Sequence, residues 1–394
     1  MDIERFGRSP IGDLTPISGT DRISGRSFTH FAFVAHPLRD EPELSNETWR
    51  AVSKANHALG RLQQGSTIVK NPSILRQPTL RREAQSTSAL EGTFAPLEEV
   101  LAANVIDQPN RSSALREVLN YVRAAEVAFD SLAEGRPITV GLIEQLHADL
   151  VAGTVADTAD AGKTRSIQVA IGTQGGGVAQ ARFIPMPPGA TLRAAFGDLV
   201  EWVRASADNA TLRDPLVAAA MAHYQFETIH PFNDGNGRLG RLLIVLQLLQ
   251  DHALSEPLLS VSPWFEARRD QYQDALAEVS ISGNWNGWVT FFAQGLEASA
   301  IDTAQRLESL LAVQARYHEI LRDAKARGIV RDIVDHLIGS PFVNVRNLAD
   351  ITGATYQAAS TAANKLVELG ILEETHSQNV RVFRANEVLA AIVA

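Results

Sequence analysis

The sequence lacks cysteine and has no apolar run of the length that a membrane span needs. Without cysteine, the chain forms no disulfides and offers no thiolate metal ligand and no cysteine nucleophile. The first residues, MDIERFGRSPIGDL, include no apolar signal region. We therefore expect a soluble, cytoplasmic protein without a membrane partner.

A surplus of positive charge is also missing. Lysine and arginine total 36 against 45 aspartates and glutamates, and the formal net charge is -9. Proteins that bind nucleic acids or anionic membranes usually present a basic surface, so this balance argues against such binding along the whole chain. It is compatible with a local basic site.

What the sequence does contain is the composition of a globular protein. With 45% hydrophobic and 21% charged residues, a full core can form and wholesale disorder is not expected. The 394 residues exceed what one core usually holds, and they predict two or three domains. The chain has no internal repeat and no low-complexity tract.

Apolar residues recur with helical spacing along most of the chain, which predicts a mainly α fold. Residues 1–45 are rich in Gly, Pro and Ser and predict an irregular arm, after which a helix begins at Asn46. Pro72 and Pro78 divide the next stretch, and a helix is predicted from about Thr79 to Leu90. Further helices are predicted over residues 112–135, 139–153, 191–206, 214–229, 237–254, 262–279, 284–299 and 301–327.

Two stretches depart from this helical pattern. Residues 164–189 alternate in polarity, are rich in β-branched side chains and contain a glycine cluster, which predicts a short β-hairpin. From about Gly328, the segments VRNLADITG, ATYQAASTAANKLVELG and ILEETHSQNVRVFRA predict a helix, a turn, a second helix and a β-wing. The C-terminal region is therefore predicted to be a winged helix-turn-helix domain.

The segment HPFNDGNGRLGR, from His230 to Arg241, precedes the apolar run LLIVLQLLQ. Arg238 and Arg241 fall at the predicted start of a helix, where the helix dipole disfavours basic side chains. They are three residues apart, so both leave the same face of one turn. The phosphates of a nucleotide would supply the negative charge that this arrangement lacks.

The other residues of this segment suit phosphate chemistry as well. Histidine titrates near neutral pH, which makes His230 the natural general base. Phe232 is an apolar anchor for the loop, and Asp234 is a hard oxygen ligand suited to Mg²⁺. The main-chain N–H groups of Gly235, Asn236 and Gly237 can approach an anion closely, and the side chain of Asn236 adds an amide donor.

Each of these residues, taken alone, has an ordinary structural explanation. A histidine before a proline is often structural, DGNG is a common turn, and arginines at helical spacing usually cover a solvated face. Together they place a base, a metal ligand, an anion nest and two arginines between two apolar helices. The combination indicates a phosphate-transfer site.

HPFNDGNGRLGR resembles the signature of the Fic family without a mismatch: His-Pro-Phe, any residue, an acid, Gly-Asn-Gly-Arg, two free positions and Arg. The segment ending in ARFIPMPP resembles the family's flap, and the likeness covers roughly residues 70–300. It implies a Fic-type helical bundle core with a β-hairpin flap. The implied domains are an N-terminal arm and helices at 1–105, a Fic core at 106–300, a linker helix at 301–327 and a winged-helix-like domain at 328–394.

The resemblance implies a protein adenylyltransferase that moves AMP from ATP to a Ser, Thr or Tyr hydroxyl of a target protein. In that case His230 would deprotonate the hydroxyl and Asp234 would hold Mg²⁺ on the α- and β-phosphates. Gly235, Asn236 and Gly237 would stabilise the α-phosphate. Arg238 and Arg241 would orient the β- and γ-phosphates.

Two further features of the resemblance bear on chemistry and target. Relatives that phosphorylate carry lysine at the position of Gly237, so the glycine favours AMP transfer. The flap, at about residues 166–187, would hold the target by main-chain strand pairing. Tyr272 and nearby apolar residues are candidates for the adenine pocket.

The segment TSALEG, Thr87 to Gly92, is similar to the inhibitory signature of Fic relatives whose inhibitory helix precedes the core. Glu91 would pair with Arg241 and displace the γ-phosphate, while Thr87 or Ser88 would fix the helix. We therefore expect the isolated protein to be nearly inactive. The ordinary alternative is a solvated glutamate at a helix end that stops at Gly92.

The C-terminal region leaves two functions open. From residue 329 on, the sequence has five basic residues against seven acidic ones, and the predicted recognition helix has one lysine and no arginine. A DNA reader normally has a basic face, so we expect a protein-docking or regulatory role, or a homodimer contact. The alternative is a nucleotide-sensing, DNA-binding transcriptional regulator, which would need neither His230 nor Asp234.

Overall fold

The computed structural model of the chain describes residues 1–20, 25–39, 41–67, 73–106, 111–172, 177–207, 213–377 and 380–393. In these ranges the protein is mainly helical, as predicted, and has two small antiparallel sheets. None of the helices described there has the length and apolarity of a membrane-spanning segment.

The helices are α1 (Ile3–Phe6), α2 (Asn46–Thr67), α3 (Ser73–Leu90), α4 (Leu97–Ala102), α5 (Ser113–Ala133), α6 (Val140–Val151), α7 (Ala190–Ala207), α8 (Pro215–Ile229), α9 (Asn236–Gln250), α10 (Ser262–Glu266), α11 (Arg269–Ser282), α12 (Trp285–Asp323), α13 (Val330–Leu337), α14 (Val345–Thr352), α15 (Tyr356–Glu368) and α16 (Asn386–Val393). The strands are β1 (Gly12–Thr20), β2 (Ser27–Ala35), β3 (Phe342–Asn344), β4 (Glu373–Ser377) and β5 (Val380–Arg384).

The chain divides into two compact units. The first contains Met1–Gly60, Asn120–Pro257 and Val261–Ala298, and the second contains Arg61–Leu119, Leu258–Ser260 and Ser299–Ala394. This grouping differs from the four predicted domains, whose boundaries stay a prediction.

In the first unit, the N-terminal residues form regular structure, and the prediction of an irregular arm is wrong. Strands β1 and β2 pair antiparallel, with Gly12 opposite Ala35 and Thr20 opposite Ser27. Pro16 fits into β1 because this strand pairs with β2 alone in the described sheet. The strand signal is the aromatic and β-branched content of SFTHFAFVA, with Phe31 and Phe33 two residues apart, and the glycine, proline and serine content around it masks that signal.

Helices α8 and α9 pack together in the same unit and are largely buried. Asp214 is the N-cap of α8, and its carboxylate accepts from the N–H groups of Leu216 and Val217. Every residue of α9 from Asn236 to Leu248 is buried. The candidate site therefore lies on a short turn between two core helices.

In the second unit, α3 begins at Ser73, and the prediction that this helix begins near Thr79 is wrong. Pro78 lies inside the helix and cannot donate to the carbonyl of Ile74, four residues earlier. The backbone of Gly339 packs against that carbonyl, so closely that a Cβ at this position would lie 2.7 Å from Ile74 Cγ2. Pro72, the other proline that divides this stretch in the sequence, lies outside the described residues.

The C-terminal part of the second unit contains α13, α14, α15 and a three-stranded sheet in the order β3, β5, β4. Val343 of β3 and Phe383 of β5 are fully buried in a core that also contains Ile333 and Leu366. These elements follow the order helix, strand, helix, helix and two strands. The identity of this region as a winged helix stays a prediction.

Two further helix boundaries differ from the predicted ones. The helix predicted over residues 262–279 is divided into α10 and α11, because Arg268 leaves the helical conformation with φ -128° and ψ 32°. The helices predicted over residues 284–299 and 301–327 are instead the single helix α12. No glycine or proline separates the two in the sequence ASAID, so nothing local ends the helix there.

Candidate active site

The turn from His230 to Gly235 joins α8 to α9 in the first unit. His230 caps α8 in the left-handed conformation, with φ 51° and ψ 65°, and its N–H donates to the carbonyl of Phe226 at 2.9 Å. Residues other than glycine rarely adopt this conformation, because Cβ then approaches the backbone. The strained backbone thus falls on His230, the residue that the sequence predicts to be the general base.

The imidazole of His230 has a defined orientation. Its Nδ1 lies 3.2 Å from the main-chain oxygen of Glu227. A carbonyl can only accept, so in the neutral ring Nδ1 carries the proton and Nε2 carries the lone pair. Nε2 is therefore the atom that can take a proton from a hydroxyl.

Phe232 is fully buried, as a loop anchor must be. Its ring stacks on the imidazole of His147, with centroids 4.1 Å apart and planes at 7°, and meets Phe196 edge-on. The stack places α6, which carries His147, directly beneath the turn.

His147 also binds the turn through hydrogen bonds. Its Nδ1 accepts from the N–H of Gly162 at 2.9 Å, which makes Nε2 the donor to the main-chain oxygen of Asp234 at 3.1 Å. Burial lowers the pKa of His147 from 6.5 to about 4, although the bond to Asp234 opposes this change. The ring is thus neutral at physiological pH and holds one tautomer.

Asp234 is the acid of the motif, and its side chain is 53% exposed. Its Oδ1 accepts from the N–H of Gly235 and lies 3.3 Å from Nη2 of Arg238. Gly235 has φ 75°, and a Cβ there would lie 2.9 Å from Leu150 Cδ2, so only glycine fits this position without strain. Both hydrogen bonds of the carboxylate to the described residues use Oδ1, which leaves Oδ2 as the better placed metal ligand.

Asn236 is almost fully buried, and its side chain serves the loop itself. Its Oδ1 accepts from the N–H of Phe232 at 2.9 Å, and its Nδ2 donates to the carbonyl of Phe232 at 2.8 Å. These two bonds close the turn from within. A direct bond from this amide to a phosphate, as the family resemblance implies, stays a prediction.

Arg238 and Arg241 lie in the first two turns of α9 and are 3% and 2% exposed. Burying two guanidinium groups at the positive end of a helix is costly unless negative charge lies near them. The carboxylate of Glu227 on α8 packs against Gly240, which lies between the two arginines in the sequence. Nδ1 of His223 donates to the carbonyl of Gly240 at 2.9 Å.

Tyr272, a candidate for the adenine pocket, is buried in the core. Its hydroxyl lies 2.7 Å from Nε2 of His223, and its ring stacks on Phe265 at 5.0 Å. The hydroxyl is thus used to support α9 through His223. Contact with a nucleobase stays a prediction.

The predicted flap hairpin is reduced to a single bridge in the described residues. Ile171 pairs antiparallel with Phe183, and Val178–Gln180 form one turn of 3-10 helix between them. Phe33 of β2 pairs with Pro185, which joins the flap to the N-terminal hairpin. The centre of the glycine cluster, residues 173–176, lies outside the described residues.

Two residues with evident structural roles at this site, His147 and Arg165, were not identified from the sequence. Arg165 is 1% exposed and binds main-chain carbonyls of the turn and of the flap. His147 falls on the helical stripe of Ile143, Leu146 and Leu150 in LIEQLHADL, whereas Arg165 in TRSIQVAIG is flanked by other polar residues. The stripe indicates that His147 is buried, no local pattern indicates this for Arg165, and neither segment identifies a partner.

The predicted inhibitory residues belong to the second unit. Thr87 and Ser88 are fully buried on α3, and Glu91 is exposed in the turn that follows this helix. Gly92 has φ 89°, and the N–H of Thr93 donates to the carbonyl of Ser88, which is the predicted helix end. A pairing of Glu91 with Arg241 stays a prediction.

The first unit thus brings together a proton acceptor and an exposed carboxylate on the turn, and two buried guanidinium groups at the N-terminus of α9. Such a turn can bind a polyphosphate, hold a divalent cation through one carboxylate and accept a proton from an attacking hydroxyl. These are the requirements of phosphoryl or nucleotidyl transfer. Among the described residues, no cluster of three or more His, Asp or Glu side chains forms a metal site.

Two curated proteins are similar to the chain over its central part. The protein adenylyltransferase fic-1 of Caenorhabditis briggsae is 30% identical over 217 residues, which are 54% of this chain and 38% of the relative. The protein adenylyltransferase Fic of Aedes aegypti is 30% identical over 248 residues, 63% of this chain and 44% of the relative. The chain spans less than half the length of these relatives.

Solved structures show the same fold at lower identity. A Fic family protein from Desulfovibrio desulfuricans aligns with a TM-score of 0.54 and 22% identity, covering 88% of this chain and 98% of the other. Fic-1 from C. elegans aligns with a TM-score of 0.50 and 23% identity, covering 65% and 72%.

Family models match two adjacent stretches of the sequence. Residues 49–130 match the Fic/DOC family N-terminal model, and residues 137–248 match the Fic/DOC family model. The second match contains the whole turn from His230 to Arg241. Over these two stretches the chain belongs to the Fic/DOC family.

Proposed function

We propose that this chain is a protein adenylyltransferase, which moves AMP from ATP to a Ser, Thr or Tyr hydroxyl of a target protein. The observation that carries the proposal is the turn from His230 to Arg241, with an imidazole lone pair, a carboxylate and two buried guanidinium groups at one helix N-terminus. The names of the similar proteins support the same reaction.

In the proposed reaction the target hydroxyl attacks the α-phosphorus of ATP. A new P–O bond forms, the bond between the α-phosphorus and the bridging oxygen breaks, and pyrophosphate leaves. Nε2 of His230 takes the hydroxyl proton, while the N–H groups at the start of α9 stabilise the charge on the α-phosphate. Arg238 and Arg241 orient the β- and γ-phosphates, and Gly237 stands where relatives that phosphorylate have lysine.

Asp234 is the residue that would hold Mg²⁺. Its carboxylate is half exposed and contacts Gly235 and Arg238 through Oδ1. One carboxylate is a sufficient protein ligand where phosphates and water fill the remaining octahedral positions. The donor set therefore fits, and the ion would neutralise charge on the triphosphate.

The target would bind along the flap, at about residues 166–187, by main-chain strand pairing. The bridge between Ile171 and Phe183 supports this part of the proposal, because it gives the flap an extended edge. The C-terminal region, residues 328–394, would serve protein docking or a homodimer contact.

The enzyme would be autoinhibited. Glu91 would pair with Arg241 and prevent productive binding of the γ-phosphate, with Thr87 and Ser88 fixing the helix end. The full burial of Thr87 and Ser88, four and three residues before the exposed Glu91, supports this arrangement. Removing the carboxylate would then release activity.

The test is label transfer from α-³²P-ATP with Mg²⁺, into the protein itself and into a bacterial lysate. It compares the wild type, Glu91→Gly and Glu91→Gly with His230→Ala. Glu134→Gly is the matched control, because Glu134 also precedes a left-handed glycine at a helix end. We expect Glu91→Gly alone to raise labelling about tenfold or more, which corresponds to about 1.4 kcal/mol.

Each other outcome contradicts a named part of the proposal. Label from γ-³²P-ATP would mean kinase chemistry. Equal activation by Glu134→Gly would remove the specific role of Glu91, and activity without His230 would remove the base. No label in any variant that still binds ATP would favour the nucleotide-sensing regulator.

A further inference from the structure

Arg165 is the buried cation of the first unit that lies between the candidate site and the flap. It is 1% exposed, and its guanidinium donates to main-chain carbonyls. Nε lies 2.8 Å from the oxygen of His230, Nη1 lies 3.1 Å from that of Ile167, and Nη2 lies 2.5 Å from that of Met186. Its main-chain N–H donates to Pro231 at 2.8 Å.

Within the described residues this guanidinium donates to carbonyl oxygens and has no carboxylate partner. Burial lowers the pKa of Arg165 from 12.5 to about 10, so the group stays charged at neutral pH. The carbonyls of Ile229 and His230 end α8, where the helix dipole is negative and favours a cation. The site is therefore built for a planar, charged donor.

One end of this arrangement is the strained residue of the candidate site. His230 has a left-handed backbone, a conformation that is unfavourable for a residue with a side chain. The bond from Nε of Arg165 to the carbonyl of His230 fixes the peptide that follows this residue. Because the backbone of His230 sets the direction of its side chain, Arg165 also constrains where Nε2 lies.

The other end is the flap. Ile167 lies at its beginning and Met186 at its end, and one guanidinium binds the carbonyls of both. The bridge between Ile171 and Phe183 closes the segment beyond them. A single side chain thus joins the base of the flap to the backbone of the catalytic turn.

We propose that Arg165 is a positioning residue for AMP transfer: its guanidinium ties both sides of the flap to the backbone of His230. A target segment paired with the flap edge is thereby held in register with Nε2. This inference deepens the proposed adenylyltransferase function and rests on it. It assigns to Arg165 the coupling between target binding and the general base.

The experiment uses the full chain in the Glu91→Gly background, with Arg165→Lys and Arg165→Met. Lysine keeps the charge but has no planar fork, so it cannot bind carbonyls on both sides of the flap and on the turn at once. Arg204→Lys on α7 is the control, because Arg204 is half exposed and pairs only locally with Glu201. The measurements are kcat for label transfer from α-³²P-ATP into the protein itself, the Kd for ATP, thermal unfolding and amide hydrogen exchange.

We expect Arg165→Lys to lower kcat about 10- to 100-fold, because misplacement of reacting groups by about 1 Å has effects of this size. Arg165→Met should lower it further, while the Kd for ATP stays within about threefold in both variants, since Arg238 and Arg241 are untouched. Amides at residues 167–171 and 183–186 should exchange about tenfold faster, and those of α11 should not. Arg204→Lys should match the parent in every measurement.

Three results would overturn the proposal. The first is a kcat for Arg165→Lys within twofold of the parent, and the second is an equal loss of ATP affinity and kcat. The third is unfolding of both variants at 25 °C, which would make Arg165 a requirement of the fold alone. If the Glu91→Gly parent transfers no label, the proposed function fails. Hydrogen exchange then tests Arg165 separately: faster exchange confined to the flap in the Arg165 variants would show that Arg165 holds the flap.

Discussion

At the scale of single residues, the buried side chain of His223 supports the helix that carries the two arginines of the candidate site. Burial lowers the pKa of His223 from 6.5 to about 3, although its bond to the carbonyl of Gly240 opposes this change. Nδ1 donates to that carbonyl, so Nε2 must accept from the hydroxyl of Tyr272. A neutral ring with one tautomer thus connects α11 to the helix that carries Arg238 and Arg241.

The neutral state of His223 predicts a specific pH dependence of stability. In the unfolded chain His223 regains a pKa near 6.5 and binds a proton below it, while the folded ring stays neutral down to about pH 3. The contribution of His223 is therefore complete above pH 6.5 and is lost as the pH falls toward 3. Between pH 7 and pH 5 the loss amounts to about 2 kcal/mol, and this value depends mainly on the unfolded pKa.

Urea unfolding at pH 7 and pH 5 checks this prediction. Wild type should lose about 2 kcal/mol more than His223→Gln over this interval, because glutamine keeps a donor and an acceptor but does not titrate. Tyr272→Phe is the control: it removes the hydroxyl, keeps the imidazole and should retain the pH dependence of wild type. Parallel pH profiles for wild type and His223→Gln would show that the ring ionises in the folded state.

The residues of the site fall into two groups by how well the sequence predicts them. Those from His230 to Arg241 are contiguous, so their residue types and spacing suffice to propose the chemistry. His147, Arg165 and His223 come from other elements, and their roles depend on which carbonyls and rings the fold brings to them. Helical spacing places His147 and His223 among apolar residues, but no sequence pattern identifies the partners of these three residues.

At the scale of elements, helix boundaries follow tertiary contacts more than local signals. The proline signal predicts a helix start near Thr79, yet α3 begins at Ser73 and continues through Pro78. The carbonyl of Ile74, which Pro78 cannot serve as a donor, lies against the backbone of Gly339. A contact distant in sequence thus accompanies the irregularity that local propensity argues against.

This close approach predicts the effect of a side chain at position 339. Gly339→Ala places a Cβ 2.7 Å from Ile74 Cγ2 and nearer still to the backbone of Ile74, so one of the two segments must move. We expect a cost of about 1–3 kcal/mol, as for other overpacked sites.

Gly197→Ala is the control. Gly197 lies inside α7 with nothing within 4 Å of a Cβ, so alanine there should stabilise the protein by about 0.5–1 kcal/mol through its helix propensity.

Thermal unfolding of the two variants checks the prediction. The midpoint of Gly339→Ala should fall by several degrees, while that of Gly197→Ala should stay or rise slightly. If both variants change alike, the effect belongs to glycine itself and the packing of Gly339 against Ile74 has no energetic consequence.

At the scale of the whole molecule, the acidic composition leaves little free basic charge in the C-terminal region. Lys365 pairs with Glu368, Arg381 with Glu374 and Arg384 with Glu373. Three of the five basic residues beyond position 328 thus have a carboxylate partner. Helix α15, the predicted recognition helix, presents mainly neutral polar side chains on its exposed face.

These pairs predict that the full chain binds DNA weakly or not at all. Non-specific binding depends on the number of phosphates that lysine and arginine neutralise, and paired side chains contribute little to it. Fluorescence anisotropy with a random duplex at about 50 mM salt should show no saturation up to about 10 μM protein, which is in the middle of the usual range of non-specific dissociation constants. Combining Glu368→Gln with Glu374→Gln releases Lys365 and Arg381 and should strengthen binding with a steeper salt dependence. Wild-type affinity tighter than about 1 μM that weakens steeply with salt would contradict the prediction and favour a DNA-binding regulator, because only unpaired basic side chains exchange counterions with phosphates.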